Sequence, residues 1–267
     1  MADVDLAGKV ALVTGGSRGL GREMVLAFAE HGADVVIASR KLDNCEKLAN
    51  EVRERFGRRA LPVAVDVGDW DQCDALAEAA YAQFGTVDIL VNNAGMSEVK
   101  PLDELTDGDW RAHHELHVMA GMRLMRALAP GMAERGWGRI VNVSSSSGKR
   151  ASLTNAAYTV SKAAQLMLSR VFAEAYAGTG VLVNAVAPGP VAGDLWLGEG
   201  GLAEQYGAAK GVSREEALEQ QQAKVPLGRM ATEEEIAAVI VFLCSEPAST
   251  VTGAAWSADG GIVPSFL

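Results

Sequence analysis

Short runs of almost wholly apolar residues alternate along the chain with longer segments in which apolar residues recur every three or four positions. The short runs do not alternate with polar residues, which is typical of strands that are covered on both faces. The pattern therefore predicts an α/β fold with a parallel sheet and helices above and below it. The predicted strands are Val10–Val13, Asp34–Ala38, Leu61–Val65, Val87–Val91, Arg139–Val143 and Val181–Val186.

The connecting segments have the length and periodicity of crossover helices. Leu20–Glu30 and Asp71–Phe84 carry apolar residues at helical spacing and end at turns that contain glycine. A last helix at about Thr232–Cys244 and a strand near Ala254–Ser257 complete the sheet. No linker or internal repeat interrupts this order, so we expect residues 1–267 to form a single domain.

One segment breaks the alternation. Between residues 195 and 225, glycines surround a polar helical stretch, Ser213–Lys224, which begins with a Ser-x-x-Glu capping signature at Ser213 and Glu216. We expect this part of the chain, at about residues 190–225, to form a lid over the substrate. Its apolar side chains indicate an apolar substrate or serve only to close the lid; they are Leu195, Trp196, Leu197 and Leu202.

Composition and charge exclude several classes of protein. Of the 267 residues, 49% are hydrophobic and 22% are charged, which is the balance of a globular protein. The formal net charge of -10 works against a broad phosphate-binding surface, so we expect no nucleic-acid partner. No apolar run of about 18 residues and no apolar leader occur, which predicts a cytoplasmic protein without a membrane span. The cysteines are odd in number and scattered, which predicts neither a disulfide framework nor a metal site.

A glycine-rich turn, TGGSRGLG at Thr14–Gly21, follows the first predicted strand and begins the first helix. Residues without a Cβ atom let the backbone and the positive end of the helix dipole approach a pyrophosphate. A plain strand-to-helix turn is the alternative, but the position after the first strand favours a dinucleotide site. We expect the turn to bind the cofactor through Gly15, Ser17, Arg18, Gly19, Leu20 and Gly21.

The end of the second strand indicates which dinucleotide binds. An acidic residue there binds the ribose 2′-hydroxyl of NAD, whereas a cationic residue accommodates the 2′-phosphate of NADP. Here Ser39 and Arg40 end the strand without a carboxylate, and Arg18 in the glycine turn supplies a second guanidinium. We therefore expect NADP(H) as the cofactor; the alternative is that Arg40 and Lys41 are solvated surface cations.

Three polar residues follow the fifth strand in a spacing that predicts acid–base chemistry. Ser145 ends the strand, and Tyr158 and Lys162 lie four positions apart on the next helix, which places them on one face. A nearby cation stabilises a phenolate, so we expect Lys162 to lower the pKa of Tyr158. The Ser145 hydroxyl then holds a carbonyl or alcohol oxygen beside the phenol.

Together these motifs resemble the short-chain dehydrogenase/reductase family, including its 3-oxoacyl-acyl-carrier-protein reductase branch. The resemblance extends over nearly the whole chain. It implies a single Rossmann-like, doubly wound sheet of seven parallel strands in the order 3-2-1-4-5-6-7. The motifs that carry it are the glycine turn, Asp66-Val67, Asn92-Asn93-Ala94-Gly95, Ser145, Tyr158-x-x-x-Lys162, Asn184 and Pro188-Gly189.

The resemblance also implies roles for single residues. Tyr158 is then the general acid/base, Ser145 polarises the carbonyl, and Lys162 binds the nicotinamide ribose and lowers the pKa of Tyr158. Asp66 and Val67 meet the adenine. The other implied cofactor contacts are Asn93 and Gly95 on the adenosine side, and Pro188, Gly189 and Val191 at the nicotinamide.

The chain departs from the family pattern at two positions. His117 stands where members with four catalytic residues have an Asn, and we weigh a part in a proton path against a structural role. Gly193 stands where the family usually has a Thr that binds the carboxamide, so the carboxamide must be held by the backbone or by another residue.

The sequence thus predicts an NADP(H)-dependent oxidoreductase that transfers hydride between nicotinamide and a ketone or secondary alcohol. An NAD-dependent alcohol, polyol or hydroxy-acid dehydrogenase of the same fold is one alternative, and a non-catalytic nucleotide-sensing protein is a remote one. For an acyl carrier, only Lys149 and Arg150 offer a cationic rim. The resemblance also implies a homo-oligomer, tetramer or dimer. The apolar tail Ile262–Leu267 is one candidate interface, and a plain edge of the core is the alternative explanation of its apolar residues.

Overall fold

The computed structural model of the protein describes residues 4–264, so the end of the tail Ile262–Leu267 lies outside the described residues. Its centre is a seven-stranded sheet, parallel throughout, in the order β3-β2-β1-β4-β5-β6-β7. This order confirms the predicted doubly wound, Rossmann-like architecture. The strands are β1 (Val10–Thr14), β2 (Asp34–Ser39), β3 (Ala60–Ala64), β4 (Ile89–Asn92), β5 (Gly138–Val143), β6 (Val181–Pro188) and β7 (Ala255–Ala258).

Helices connect the strands and cover both faces of the sheet. They are α1 (Gly19–Glu30), α2 (Leu42–Phe56), α3 (Trp70–Phe84), α4 (Asp107–His114), α5 (Ala120–Glu134), α6 (Ala156–Ala175), α7 (Asp194–Leu197), α8 (Leu202–Lys210), α9 (Arg214–Gln222) and α10 (Glu233–Leu243). Successive side chains of a strand point to opposite faces. In β1, Val13 therefore packs in a core with α1, α2 and α10, whereas Leu12 packs in a second core with α3 and α5.

The ends of the helices follow local sequence signals. Helices α2 and α3 end at Gly57 and Gly85, whose φ angles of 63° and 75° are left-handed and favour glycine. Helix α9 begins with the predicted capping box, in which Ser213 and Glu216 each bind the backbone of the other. Because such signals mark helix ends in the sequence, the predicted bounds of α1, α3 and α10 agree with the structure to within one residue.

The segment at 190–225 is more ordered than its sequence predicts. In place of one polar helix among glycines, it contains the three short helices α7, α8 and α9. Trp196 stacks on Tyr206, with ring centroids 5.6 Å apart, and packs with Leu202 and Met230 in a small core of its own. The apolar residues of this segment thus serve largely to hold its helices together.

A π-helical turn, Glu115–Met119, joins α4 to α5 and contains His117. Such turns often occur at functional sites, and hydrophobic periodicity does not reveal them.

Within residues 4–264, no helix is long and apolar enough to cross a membrane, and no three His, Cys, Asp or Glu side chains are grouped as metal ligands would be.

Candidate active site

The glycine-rich turn has the close backbone packing that its sequence predicts. Gly15 and Gly19 adopt φ angles of 62° and 55°, which residues with a side chain rarely adopt. A Cβ atom on Gly21 would overlap the carbonyl oxygen of Gly15. Only glycine fits there, and the turn and the N-terminus of α1 line a large pocket.

The neighbouring strand ends hold this turn in shape. Asn93, which follows β4, donates from Nδ2 to the carbonyl oxygen of Thr14 at 2.9 Å. On the other side, Ser17 donates to the Oγ atom of Ser39 at 2.9 Å. In this structure Asn93 and Ser17 thus bind the backbone and the adjacent strand, and they fix the geometry that the glycines permit.

The pocket has a volume of about 890 Å³ and lies along the carboxyl ends of the strands. This volume is near the upper end of the roughly 300–1,000 Å³ that is usual for small-molecule sites, as a site for two ligands requires. Every predicted catalytic or cofactor-binding residue lines it except Ser17 and His117. Residues from seven segments of the sequence therefore meet at one site.

Arg18 and Arg40 are exposed and line the pocket beside the end of β2. Within residues 4–264, neither guanidinium forms an ion pair. Asp66 and Val67 line the same region, and the Asp66 carboxylate accepts the backbone N–H of Gly68 at 3.0 Å. This part of the pocket thus offers two cations to a ligand.

The end of β6 and the chain that follows it form the wall between the glycine turn and the 190–225 segment. Pro188, Gly189 and Val191 all line the pocket. A Cβ atom on Gly189 would approach the backbone of Asp259 to 2.8 Å, so glycine allows the chain to pass closely by the loop after β7.

Ser145, Tyr158 and Lys162 meet where β5 ends and α6 begins, as the spacing predicts. All three line the pocket. The Nζ atom of Lys162 lies 5.7 Å from the centre of the Tyr158 ring. It donates to the carbonyl oxygen of Val143 at 2.7 Å and to Oε1 of Gln165 at 3.1 Å.

Burial controls the ionisation of these groups. Burial raises the pKa of Tyr158 by more than the side chain of Ser145 lowers it. Burial also lowers the pKa of Lys162 to about 7. In this structure burial therefore sets the direction of the shift in the pKa of Tyr158, while the Lys162 ammonium binds Val143 and Gln165. The lowering of the Tyr158 pKa by Lys162 stays a prediction.

His117 bridges the segments around Tyr158. Its Nε2 accepts the backbone N–H of Met96 at 3.1 Å, which requires the ring proton to be on Nδ1. Nδ1 then donates to Oγ of Ser161 at 2.8 Å, and Ser161 donates to the carbonyl oxygen of Tyr158 at 2.7 Å. Burial, followed by the charges of Lys162 and His113, lowers the pKa of His117 well below its ordinary value. The imidazole is therefore neutral, and both its nitrogens are engaged.

Glu233 occupies the space that a side chain at position 193 would fill, because a Cβ atom on Gly193 would overlap Oε1 of Glu233. The same oxygen lies 3.3 Å from the position of a Cβ atom on Gly19, at the N-terminus of α1. Burial raises the pKa of Glu233, and the nearby Asp194 and Glu23 raise it further. Sequence reasoning missed this residue, since the TEEE stretch at 232–235 resembles an ordinary solvated first turn.

The 190–225 segment also contributes two cations that sequence reasoning missed. Lys210 and Lys224 line the pocket together with Arg150 from the β5–α6 connection. Lys149, in contrast, donates to the carbonyl oxygen of Ala255 at 2.6 Å and is held against β7. The long separation in sequence hides the cluster, because only the fold brings α8 and α9 to Arg150.

The model of the short chain dehydrogenase family matches residues 9–198. The chain is 38% identical to cis-4-hydroxycyclohexanecarboxylate dehydrogenase of Sinomonas cyclohexanicum over 96% of each chain. It is 33% identical to the 3-oxoacyl-[acyl-carrier-protein] reductase of Thermotoga maritima, covering 97% of this chain and 99% of that one. Its structure is similar to L-sorbose reductase from Gluconobacter frateurii complexed with NADPH and L-sorbose, with a TM-score of 0.92 and 36% identity over 99% of this chain and 100% of that chain.

Proposed function

Because the chain belongs to the short chain dehydrogenase family, we propose that it is an NADP(H)-dependent reductase of ketones that also oxidises the corresponding secondary alcohols. As a member of the family, it is an oxidoreductase that acts on CH–OH and C=O groups with a nicotinamide cofactor. The observation that carries the proposal is that Ser145, Tyr158 and Lys162 line the same pocket as the glycine turn.

The residues around the pocket fit a dinucleotide. The overlap that excludes a side chain at Gly21 keeps the backbone of the turn accessible to a pyrophosphate, and the N-terminus of α1 favours an anion there. We assign Asp66, Val67, Asn93 and Gly95 to the adenosine side and Pro188, Gly189 and Val191 to the nicotinamide side. When bound, the nicotinamide gives hydride to the carbonyl carbon or accepts it from the alcohol.

Tyr158 provides the proton in this proposal. Its hydroxyl donates to the carbonyl oxygen during reduction and accepts that proton during oxidation, while Ser145 holds the same oxygen. Since burial raises the pKa of Tyr158, the phenol is protonated near neutral pH, which is the form that reduction requires. Lys162, with a pKa of about 7, binds ribose hydroxyls and exchanges a proton at the base of the site.

His117 acts as a positioning residue and does not exchange protons with the substrate. Its neutral ring lies edge-on to Tyr158 with centroids 5.4 Å apart, and both its nitrogens are bound within the protein. It fixes the loop after β4 and the start of α6 relative to each other.

The whole chain acts as one domain, and α7, α8 and α9 form the lid over the substrate.

NADP(H) is preferred because Arg18 and Arg40 face the pocket without a protein counterion among the described residues. The similar L-sorbose reductase is complexed with NADPH. Arg40→Asp replaces the cation by a carboxylate that favours a ribose hydroxyl, so we expect the preference to shift from NADPH toward NADH by at least about tenfold. Dissociation constants of both nucleotides measure this shift, and a wild-type protein that prefers NADH would contradict the assignment.

The partners in this proposal are a small carbonyl or alcohol substrate and further copies of the chain. The exposed face of α6 carries Val160, Met167 and Val171, an apolar stripe that fits an interface in a homodimer or homotetramer. A cytoplasmic location fits the three buried free thiols, Cys45, Cys73 and Cys244.

The reaction is tested with a panel of ketones, sugars and oxo acids supplied with NADPH or NADH. We expect substrate-dependent consumption of NADPH, faster than that of NADH. Binding of NADPH without turnover of any carbonyl or alcohol would instead support a nucleotide-sensing protein, and faster turnover with NAD and an alcohol would support the dehydrogenase alternative.

A further inference from the structure

Three cations line the substrate side of the pocket. Arg150 lies between β5 and α6, Lys210 is the last residue of α8, and Lys224 follows the end of α9. We propose that the substrate carries an anionic group, a carboxylate or a phosphate, and that Arg150, Lys210 and Lys224 bind it. This inference rests on the proposed function, because the anionic group belongs to the molecule whose carbonyl reaches Tyr158.

The three side chains are close enough to influence one another. Partial burial lowers the pKa of Lys224, and the charges of Lys210 and Arg150 lower it further. Converging like charges are unfavourable, and an anion between them removes this repulsion. A carboxylate or phosphate oxygen is also the acceptor with which Arg and Lys form their strongest hydrogen bonds.

The protein itself supplies no counterion for the cluster within residues 4–264. The ion pairs of this part of the chain do not include Arg150, Lys210 or Lys224. Lys210 instead donates to the neutral amide of Gln220 at 3.0 Å, and Lys224 donates to that of Gln221 at 3.4 Å. Among the described residues, three cations beside one pocket therefore lack an ion pair, in a chain with 34 acidic and 24 basic residues.

The lid is attached to the wall of the active site through α8, which keeps Lys210 beside the pocket. The Tyr206 hydroxyl and the Thr154 hydroxyl are hydrogen-bonded at 3.0 Å. Gln205 accepts the backbone N–H of Val99 at 2.9 Å. Lys210 lies one turn after Tyr206 on α8, with Nζ 6.0 Å from the centre of the Tyr206 ring. The contacts of α8 therefore place Lys210 over the pocket that contains Tyr158.

The positions of Lys210 and Lys224 also fit a second explanation, in which both lysines only stabilise the helices that they end. Lys210 and Lys224 lie at the C-terminal ends of helices, where a cation is stabilised by the helix dipole. That role concerns stability alone. Anion binding, in contrast, predicts a preference among substrates that depends on charge.

The test compares substrates that differ only in charge. Levulinate and 4-oxocyclohexanecarboxylate are each assayed against their methyl esters, and dihydroxyacetone phosphate against dihydroxyacetone, with saturating NADPH. The proteins are wild type, the double variant K210Q/K224Q, and Lys47→Gln, which removes an exposed lysine of α2 outside the pocket. Thermal unfolding of all three proteins separates a change in stability from a change in selectivity.

We expect the wild type and K47Q to have a higher kcat/KM for an anionic compound than for its neutral counterpart. In K210Q/K224Q this ratio falls about tenfold or more, mainly through KM, and NADPH binding is unchanged. The carboxylate and phosphate pairs show which anion is preferred. Turnover with equal or better use of the neutral compounds, or a ratio that the double variant leaves unchanged, overturns this inference alone. The absence of turnover with every carbonyl overturns the proposed function as well.

Discussion

Hydrogen bonds to neighbouring side chains and backbone hold the residues around Tyr158 in place. His117 and Ser161 bind the backbone of Met96 and Tyr158, and Lys162 binds Val143 and Gln165. Preorganised groups of this kind need little rearrangement when charge develops on a substrate oxygen. The same burial that fixes them raises the pKa of Tyr158 and lowers that of Lys162.

Glu233 is expected to make cofactor binding dependent on pH. Its carboxyl group lies at the N-terminus of α1, where the cofactor phosphates are expected, and burial raises its pKa. The groups that face it are Asp194 on α7, Glu23 on α1, whose carboxylate pairs with Arg22, and Glu234 on α10. As the pH rises, Glu233 loses its proton and its charge opposes the phosphates.

Glu233→Gln removes this charge while it keeps the shape of the side chain. We expect wild-type affinity for NADPH to fall more steeply than that of the variant as the pH rises through the raised pKa of Glu233, and the variant to bind about three- to tenfold more tightly once Glu233 is ionised. Fluorescence titration of NADPH at a low and a high pH measures the affinities of the wild type and of the variant. Weaker binding by E233Q at both pH values would show that the carboxylate itself holds the cofactor.

Spacing along the chain predicts some residues of the candidate active site but not others. Ser145, Tyr158 and Lys162 lie on a strand end and on the next helix, so local geometry brings them together. Glu233 reaches Gly193 from a helix that begins forty positions later, and no local pattern indicates that contact. The hydrogen bonds of His117 also depend on a π-helical turn and on a distant helix, which explains why its role stays open in the sequence alone.

The glycine turn is the element on which cofactor binding depends most directly. Gly21→Ala introduces a Cβ atom against the carbonyl oxygen of Gly15. We expect the turn to open and the affinity for NADPH to fall by at least about tenfold, because the backbone and the N-terminus of α1 no longer meet the phosphates together. Titration with NADPH measures this effect.

Gly57→Ala is the matched control for this variant. Gly57 ends α2 with a φ angle of 63°, and nothing lies within 4 Å of an added Cβ atom. The control is expected to lose roughly 1 kcal/mol or less of stability through strain, without a change in NADPH binding. If both alanine variants reduce the affinity equally, the close packing of Gly21 is not the reason for its importance.

The sequence predicts elements with a clear apolar pattern well, and it predicts poorly the elements that tertiary contacts stabilise. The central strands β1, β4 and β5 and most of β2 and β6 are buried on both faces, and their apolar composition alone identifies them. Helix α8, with the sequence LAEQYGAAK, has no clear amphipathic pattern and becomes stable by packing Leu202 and Ala203 against Trp196. The prediction for residues 190–225 therefore contains too few helices, and the role of this segment as a lid stays a prediction.

The exposed face of α6 predicts that the whole chain associates with further copies of itself. Val160, Met167 and Val171 are 54%, 65% and 55% exposed and follow one another at helical spacing. We expect light scattering after gel filtration to give two or four times the chain mass of 28.0 kDa, since burial of such a stripe is favourable. Met167→Glu is expected to shift the mass toward that of a single chain.

Leu42→Glu is the control, because Leu42 is also exposed, at 41%, but begins α2 on the other face of the sheet. It should leave the mass unchanged. A wild-type protein of 28.0 kDa in solution would contradict the proposed homo-oligomer.

In the proposed reaction the hydroxyl of Tyr158 exchanges a proton with the substrate oxygen. Tyr158→Phe removes only this hydroxyl, and Tyr176→Phe removes a second one outside the pocket. With a ketone that the wild type reduces, we predict that Y158F loses at least about a hundredfold in kcat and binds NADPH like the wild type, while Y176F keeps its activity. Full activity of Y158F would show that the Tyr158 hydroxyl does not supply the proton.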